Sequence, residues 1–269
     1  MYEILDSLSD DALVLDLGSG SGSFRAEDYR FTTILVDSKL DHLPAGRNAV
    51  QACGHVLPFR ARSFDAVILS HVLEHEENPK RMLQEVGRVL KRSGAAYVAV
   101  PDARTFSDRL YRKLFRNRGG HLSLFISEAG LRTMIAWYLG LPHKATRTLY
   151  SSFAYLNRNN FQDATKRIQI LLPPLPEALV ATLTFAVNKV DNWLGTRASV
   201  YGWALYFGEI KTEVLEQANP NVCVRCGKAE LVSRQPVRPG LRGRILFPLY
   251  RCSQCGARNV HRSRTPRDA

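Results

Sequence analysis

No stretch of 18 apolar residues free of charge occurs in the chain, so nothing in it reads as a membrane-spanning helix. The opening residues, Met1-Tyr2-Glu3-Ile4-Leu5-Asp6, have neither the basic nor the apolar stretch of a secretory signal, and the expected compartment is the cytoplasm. Cysteine is scarce: of five in 269 residues, all but Cys53 fall after residue 222. Acid is scarce in that same region. From Asn219 onward only Glu230 and Asp268 face eleven Lys and Arg, so nine of the chain's twelve net positive charges lie there. A tail of that charge suits an anionic partner, either RNA, an acidic protein or a lipid surface contacted peripherally; it also serves simply as a solvated surface. The remainder is ordinary globular composition, 45% hydrophobic and 23% charged, enough for one sizeable core and an appendage.

Strands and helices alternate along the first hundred residues. Ala12-Leu13-Val14-Leu15, Thr32-Thr33-Ile34-Leu35-Val36, Phe64-Asp65-Ala66-Val67-Ile68-Leu69 and Ala95-Ala96-Tyr97-Val98-Ala99-Val100 are short apolar runs of the kind found in buried parallel strands. From Pro79 to Leu90, Met82, Leu83, Val86, Val89 and Leu90 recur at helical spacing, with Lys80, Arg81, Glu85 and Arg88 outward; Lys91-Arg92-Ser93-Gly94 reads as the last turn and its stop. Helices are also expected at 127–138 and 177–194, and a late strand at 200–207. The fold class is therefore α/β, a doubly wound, mostly parallel sheet, which binds ligands at the carboxyl ends of its strands.

The loop Asp16-Leu17-Gly18-Ser19-Gly20-Ser21-Gly22 follows the first strand directly. Glycines there let backbone approach a ligand, and a helix starting after them presents free N–H groups. Asp37 ends the second strand, 19 residues beyond Gly18, where a carboxylate can accept both hydroxyls of a ribose. The loop lacks the third glycine of Gly-x-Gly-x-x-Gly, because position 23 is serine.

Five segments occur in order: Val14 to Gly22, Leu57-Pro58-Phe59, Ser63-Phe64-Asp65-Ala66-Val67, His71-Val72-Leu73-Glu74-His75, and Glu85-Val86-Gly87-Arg88-Val89-Leu90-Lys91. Together they closely resemble the class I S-adenosylmethionine-dependent methyltransferases of the type-11 subgroup, over about residues 11–135. The resemblance implies a Rossmann-like methyltransferase fold with S-adenosylmethionine as cofactor. By it, Gly18, Ser19 and Gly20 line the methionine and ribose portion, Asp16 sits beneath the loop and helps hold the amino group, and Asp37 takes the ribose hydroxyls. Cys53-Gly54 stands where the family often has Asp-Ala on the adenine amine. Ser70 and His71 fall near the sulfonium.

Methyl transfer needs an aligned nucleophile and, for some acceptors, a base. The candidate bases are His71, just past a strand end, His75, and His121, in Gly119-Gly120-His121-Leu122, with His121 and His71 preferred to His75. Leu73-Glu74-His75 is expected to brace the loop. The (Asp/Asn)-Pro-Pro-aromatic motif of amino-methylating nucleic-acid enzymes is absent; Ser70-His71-Val72-Leu73 stands in its place. A thiol for pyrimidine C5 chemistry is absent as well, since Val100-Pro101-Asp102 offers none.

About ten residues precede the loop motif, too few for the helical cap of many relatives, so a helical lid insertion is expected from about 103 to 200, within a methyltransferase domain of 1–218. Residues 219–269 form the basic tail. Its Cys223-Val224-Arg225-Cys226-Gly227 and Cys252-Ser253-Gln254-Cys255-Gly256 resemble the knuckles of a zinc ribbon, with four thiolates suited to a closed, structural Zn²⁺ and strands at Leu231-Val232 and Ile245-Leu246-Phe247. The leading functional expectation is methylation of a small-molecule, lipid or sugar-precursor acceptor. An RNA methyltransferase binding through its tail is the alternative, and a non-catalytic protein that recruits partners is the second.

Overall fold

The four apolar runs become the centre of one sheet. The computed structural model describes residues 1–20, 22–43, 48–105, 108–109, 112–113, 121–150 and 177–210, with 221–222, 229–230, 249–251, 253 and 258–260 beyond them. In chain order the sheet unit contains α1 (Tyr2–Leu5), β1 (Leu13–Leu17), β2 (Thr32–Asp37), β3 (Ala49–Gln51), β4 (Phe64–Ser70), α2 (Pro79–Val89), β5 (Leu90–Pro101), α3 (Glu128–Leu139) and β6 (His143–Tyr150). After α4 (Glu177–Leu194), β7 (Val200–Gly208) completes the sheet in the order β3-β2-β1-β4-β5-β7-β6. The pairs β1–β2, β1–β4, β2–β3 and β4–β5 are parallel and β5–β7 is antiparallel, so the sheet is mostly parallel as expected.

Helix α2 forms for the reasons its sequence suggests. Asn78 caps it, its side chain accepting from Arg81 N at 3.1 Å, and Pro79 occupies the first turn. Met82, Leu83, Val86 and Val89 are buried with Val67 and Leu69 of β4 and Val98 of β5 in one core cluster, each contributing about 1.5–3 kcal/mol. Helix α3, capped by Ser127 and ended by Gly140, adds Leu131, Ile135 and Leu139. The two helices cross closely at Gly87, where a Cβ would stand 2.3 Å from the Tyr138 carbonyl oxygen.

Several expectations are corrected. Lys91 to Gly94 is not a helical turn. Leu90 is already extended, at φ −77° and ψ 137°, and pairs with Phe64, so β5 starts there. Lys91 Nζ meets Asp65 Oδ1 at 2.8 Å, while Asp65 Oδ2 accepts from Leu13 N at 2.9 Å. Glu85 is not outward but buried: it accepts from Leu57 N, and Arg88 donates both to Glu85 and to the Leu57 and Phe59 carbonyls. The two residues thus clamp the Leu57-Pro58-Phe59 turn.

No helix follows the glycine loop among the described residues. The chain makes only a 3-10 turn, Ala26–Asp28, before β2. In place of a helix is an aromatic trio in which Tyr29 stacks on Phe31 at 4.7 Å and Phe24 meets both edge-on. Within the range 103–200 expected for a lid, residues 128–150 instead supply a core helix and strand β6 of the sheet. Strand β6 places Arg147 inward, where it pairs with Glu3 and lies over the Tyr206 ring at 5.3 Å.

A second compact unit contains α4 and the described residues from 221 onward. Helix α4 carries Leu179, Leu183, Val190, Trp193 and Leu194 exposed. Two antiparallel ladders follow, β8 (Asn221–Val222) with β9 (Ala229–Glu230), and β10 (Leu249–Arg251) with β11 (Arg258–Val260). In sequence each ladder brackets one Cys-x-x-Cys pair. Cys223, Cys226, Cys252 and Cys255 themselves, and the strands expected at 231–232 and 245–247, lie outside the described residues. No described helix is long and apolar enough to cross a membrane.

Candidate functional site

The strand order brings the carboxyl ends of β2, β1 and β4 side by side, and the glycine loop turns over them. Gly18 and Ser19 both donate from backbone N to the Val36 carbonyl, at 2.7 and 3.0 Å. Gly18 and Gly20 take φ of 69° and 50°, the left-handed region that favours glycine. A Cβ on Gly18 would strike Val72 at 2.6 Å, whereas one on Gly20 would meet nothing within 4 Å. The loop therefore lies tight against the chain after β4 on one side and open at Gly20.

Two carboxylates hold this loop. Asp37 Oδ2 accepts from Gly20 N at 3.0 Å, and Oδ1 accepts from Lys39 N at 3.0 Å with the His42 ring at 3.2 Å. Asp16 is wholly buried and takes both donors of Ser23, backbone N on Oδ2 and Oγ on Oδ1, each at 2.7 Å. Burial pushes the Asp16 carboxyl up to about 6, against the Ser23 bonds that hold it down. Asp16 thus braces the turn from beneath, and Asp37 fastens its middle to β2.

The remaining residues singled out for the cofactor are more scattered. Cys53 is exposed, its Sγ 3.6 Å from His55 Nδ1. Gly54 is buried, and a Cβ there would stand 2.3 Å from Met82 Cε, so packing on α2 accounts for the glycine. Ser70 closes β4 opposite Ala99.

Beyond Ser70 the chain bends sharply. His71 adopts φ 60°, costly for a side-chain-bearing residue, and donates from its backbone N to the Ala99 carbonyl. A 3-10 turn, Leu73–His75, follows. His71 Nδ1 lies 3.4 Å from a carboxylate oxygen of Glu74, which is buried. The segment 121–126 straps onto this turn: Leu122 N and Ser123 N both donate to the Glu74 carbonyl, and Ser123 Oγ donates to that of Glu76. His121 packs edge-on against His75 at 5.1 Å, and its Nδ1 bonds Asp108, which Arg112 holds from the other side at 2.6 Å. The two preferred candidate bases, His71 and His121, thus flank one turn at the mouth of β4.

Part of the chain is similar to known proteins. Residues 3–136 match a family model described as a methyltransferase domain. Two uncharacterized proteins of Methanocaldococcus jannaschii are similar in sequence. One is 31% identical over 101 residues, which is 37% of this chain and 49% of that protein. The other is 38% identical over 93 residues, which is 34% of this chain and 41% of that protein. The chain thus spans less than half the length of either relative. A solved complex of the Haloferax volcanii Trm112 methyltransferase activator with a putative methyltransferase is similar in fold, with TM-score 0.50 and 16% identity, covering 77% of this chain and 88% of that one. Residues 3–136 are thus similar to methyltransferase domains.

Within this matched segment the structure gathers Asp16, Gly18, Ser19, Gly20 and Asp37 into one bonded loop. It places Ser70 and His71 at the next strand end, joined to that loop through Val72. Three partners went unnoticed in the sequence: Ser23 on Asp16, His42 on Asp37 and Asp108 on His121. Ser23 and His42 stand close in sequence to residues already singled out. Asp108 carries no local signal, since it meets His121 only through the fold.

Proposed function

We propose that the methyltransferase domain binds S-adenosylmethionine on the glycine loop and transfers its methyl group to a small-molecule or lipid-linked acceptor, sugar precursors included, as a member of the type-11 subgroup. The bonded unit of Gly18, Gly20 and Asp37 at adjoining strand ends carries this reading. It is a cradle of bare backbone with a carboxylate at one end, which is what a nucleoside with a charged amino-acid tail requires. Gly20 leaves open the space that any side chain would fill.

Asp37 has room for a ribose at a small cost. A carboxylate offers about four acceptor sites, and Gly20 N, Lys39 N and the His42 ring occupy three of them. The His42 side chain is 45% exposed, so it swings away to release a second site. Asp16 acts through Ser23, fixing the turn. The bound cofactor supplies an electrophilic methyl group. His71 and His121 contact the acceptor at the mouth of β4, where a proton can be taken from it. The tail cysteines Cys223, Cys226, Cys252 and Cys255 hold a structural Zn²⁺.

The exposed apolar side chains of α4, with Trp193 at 83%, favour a lipid-linked acceptor or a peripheral lipid surface. The basic tail favours the second reading, methylation of RNA. Transfer of label from S-adenosylmethionine into a cell extract, split into lipid, small-molecule, protein and RNA fractions, separates the two. Label in the lipid or small-molecule fraction supports the first reading. Label in RNA supports the second, which also requires salt-sensitive RNA binding weakened by Arg258→Gln, Arg262→Gln and Arg264→Gln together. A chain that binds no S-adenosylmethionine is neither enzyme, and its ribbon and fold then serve partner recruitment.

A further inference from the structure

Glu74 is 1% exposed, yet neither of its carboxylate oxygens accepts a hydrogen bond from a described residue. A carboxylate held that deep costs several kcal/mol unless a cation compensates it. The near histidine, His71, stands off at 3.4 Å. Three ligand-type atoms gather at the same place: one each from Glu74, His75 and His121, all within 4.8 Å of one another.

The surroundings of these three are built for ligation. His121 gives Nδ1 to Asp108, and Arg112 secures Asp108 while also donating to the Ala103 carbonyl at 2.8 Å. A carboxylate behind a histidine is the usual way a metal-binding imidazole is aimed, and the Asp108 bond at Nδ1 leaves Nε2 as the nitrogen for an ion. The backbone bonds of Leu122 and Ser123 to the Glu74 carbonyl lock the two ligand-bearing segments together across nearly fifty residues. Ligand atoms about 2.0–2.2 Å from one ion stand somewhat closer together than 4.8 Å; rotation of His75, the exposed member, closes the difference.

We propose that Glu74, His75 and His121 bind one divalent transition-metal ion. Two imidazoles and one carboxylate suit Zn²⁺, Fe²⁺, Co²⁺ or Mn²⁺, and three protein ligands leave further positions open. The open positions take water or an oxygen donor of the methyl acceptor, which makes the acceptor an oxygen-bearing ligand; only this last step rests on the methyl-transfer reading. The assignment gives His121 a ligand's role in place of a base's, and leaves His71 as the proton acceptor.

The test uses the full chain, stripped with a chelator, reloaded with Zn²⁺ on its thiolates and titrated with Co²⁺ and, separately, Mn²⁺. Binding is followed by visible absorption and electron paramagnetic resonance. The expected result is one ion per chain whose spectrum carries no sulfur-to-metal charge transfer. His75→Gln, an exposed change, removes it, and Asp108→Asn weakens it about 10–100-fold. Unfolding temperatures of the metal-free proteins show that the fold persists. Absence of any sulfur-free ion in the wild-type chain, or unchanged affinity in both variants, overturns the proposal. Calorimetry with S-adenosylmethionine on the same samples separates the two claims. Cofactor binding without the ion sinks the metal site alone, and the ion without cofactor binding sinks the methyltransferase reading alone.

Discussion

Replacing Asp16 by asparagine changes how stability depends on pH. The carboxyl is wholly buried and burial raises it from about 3.8 to about 6, so folding favours its protonated form. The stability it supports is fully present below about pH 4 and is lost as pH rises through about 6. The gap corresponds to roughly 3 kcal/mol at neutral pH. Asparagine keeps the shape and never ionises. Its carbonyl accepts from Ser23 N, and the Ser23 hydroxyl reverses to accept from the new amide, so the bonds persist. Denaturant unfolding of both proteins at pH 4, 5, 6 and 7 is the assay. The variant should gain stability relative to the wild type by roughly 3 kcal/mol between pH 4 and 7, whatever constant offset the substitution adds. Parallel curves for the two proteins would refute the reasoning, because Asp16 would then titrate no differently folded than unfolded.

Other outcomes follow from the same contacts. Asp37→Asn weakens S-adenosylmethionine binding at least about tenfold in calorimetry, as one or two hydrogen bonds to a charged acceptor are lost, whereas His42→Ala binds equally or more tightly. Gly87→Ala drives a Cβ into the Tyr138 carbonyl at the α2–α3 crossing; thermal unfolding should register a loss of about 1–3 kcal/mol. Glu85→Ala strips Leu57 N and the Arg88 guanidinium of their acceptor, and the expected cost is about 1–3 kcal/mol with the m-value unchanged.

The central strands and α2 were legible because buried parallel strands are continuous apolar runs and α2 keeps one apolar stripe. Strand β6 was not, because its inward positions include Arg147, a charge made tolerable only by Glu3 from the other end of the unit. The absent helix after the glycine loop was hidden for a similar reason: Phe24, Tyr29 and Phe31 pack on one another in its place, and their spacing fits neither helix nor strand. Several residues of the recurring segments have structural work. Asp65 ties β1 to Lys91, and Glu85 with Arg88 clamps the turn at Leu57. Segment order therefore reports a fold as much as a cofactor. The loop and Asp37 could be read locally, since a turn and a strand end make them. The Glu74, His75, His121 and Asp108 cluster could not, because it joins segments whose meeting only the sheet determines.

The claim that the glycine loop is a cofactor cradle is tested most directly by titrating S-adenosylmethionine into the full chain and its Asp37→Asn variant in a calorimeter. Saturable binding of one molecule per chain, weakened at least about tenfold in the variant, is the predicted result. No heat of binding to the wild type, or equal affinity in the two proteins, contradicts it.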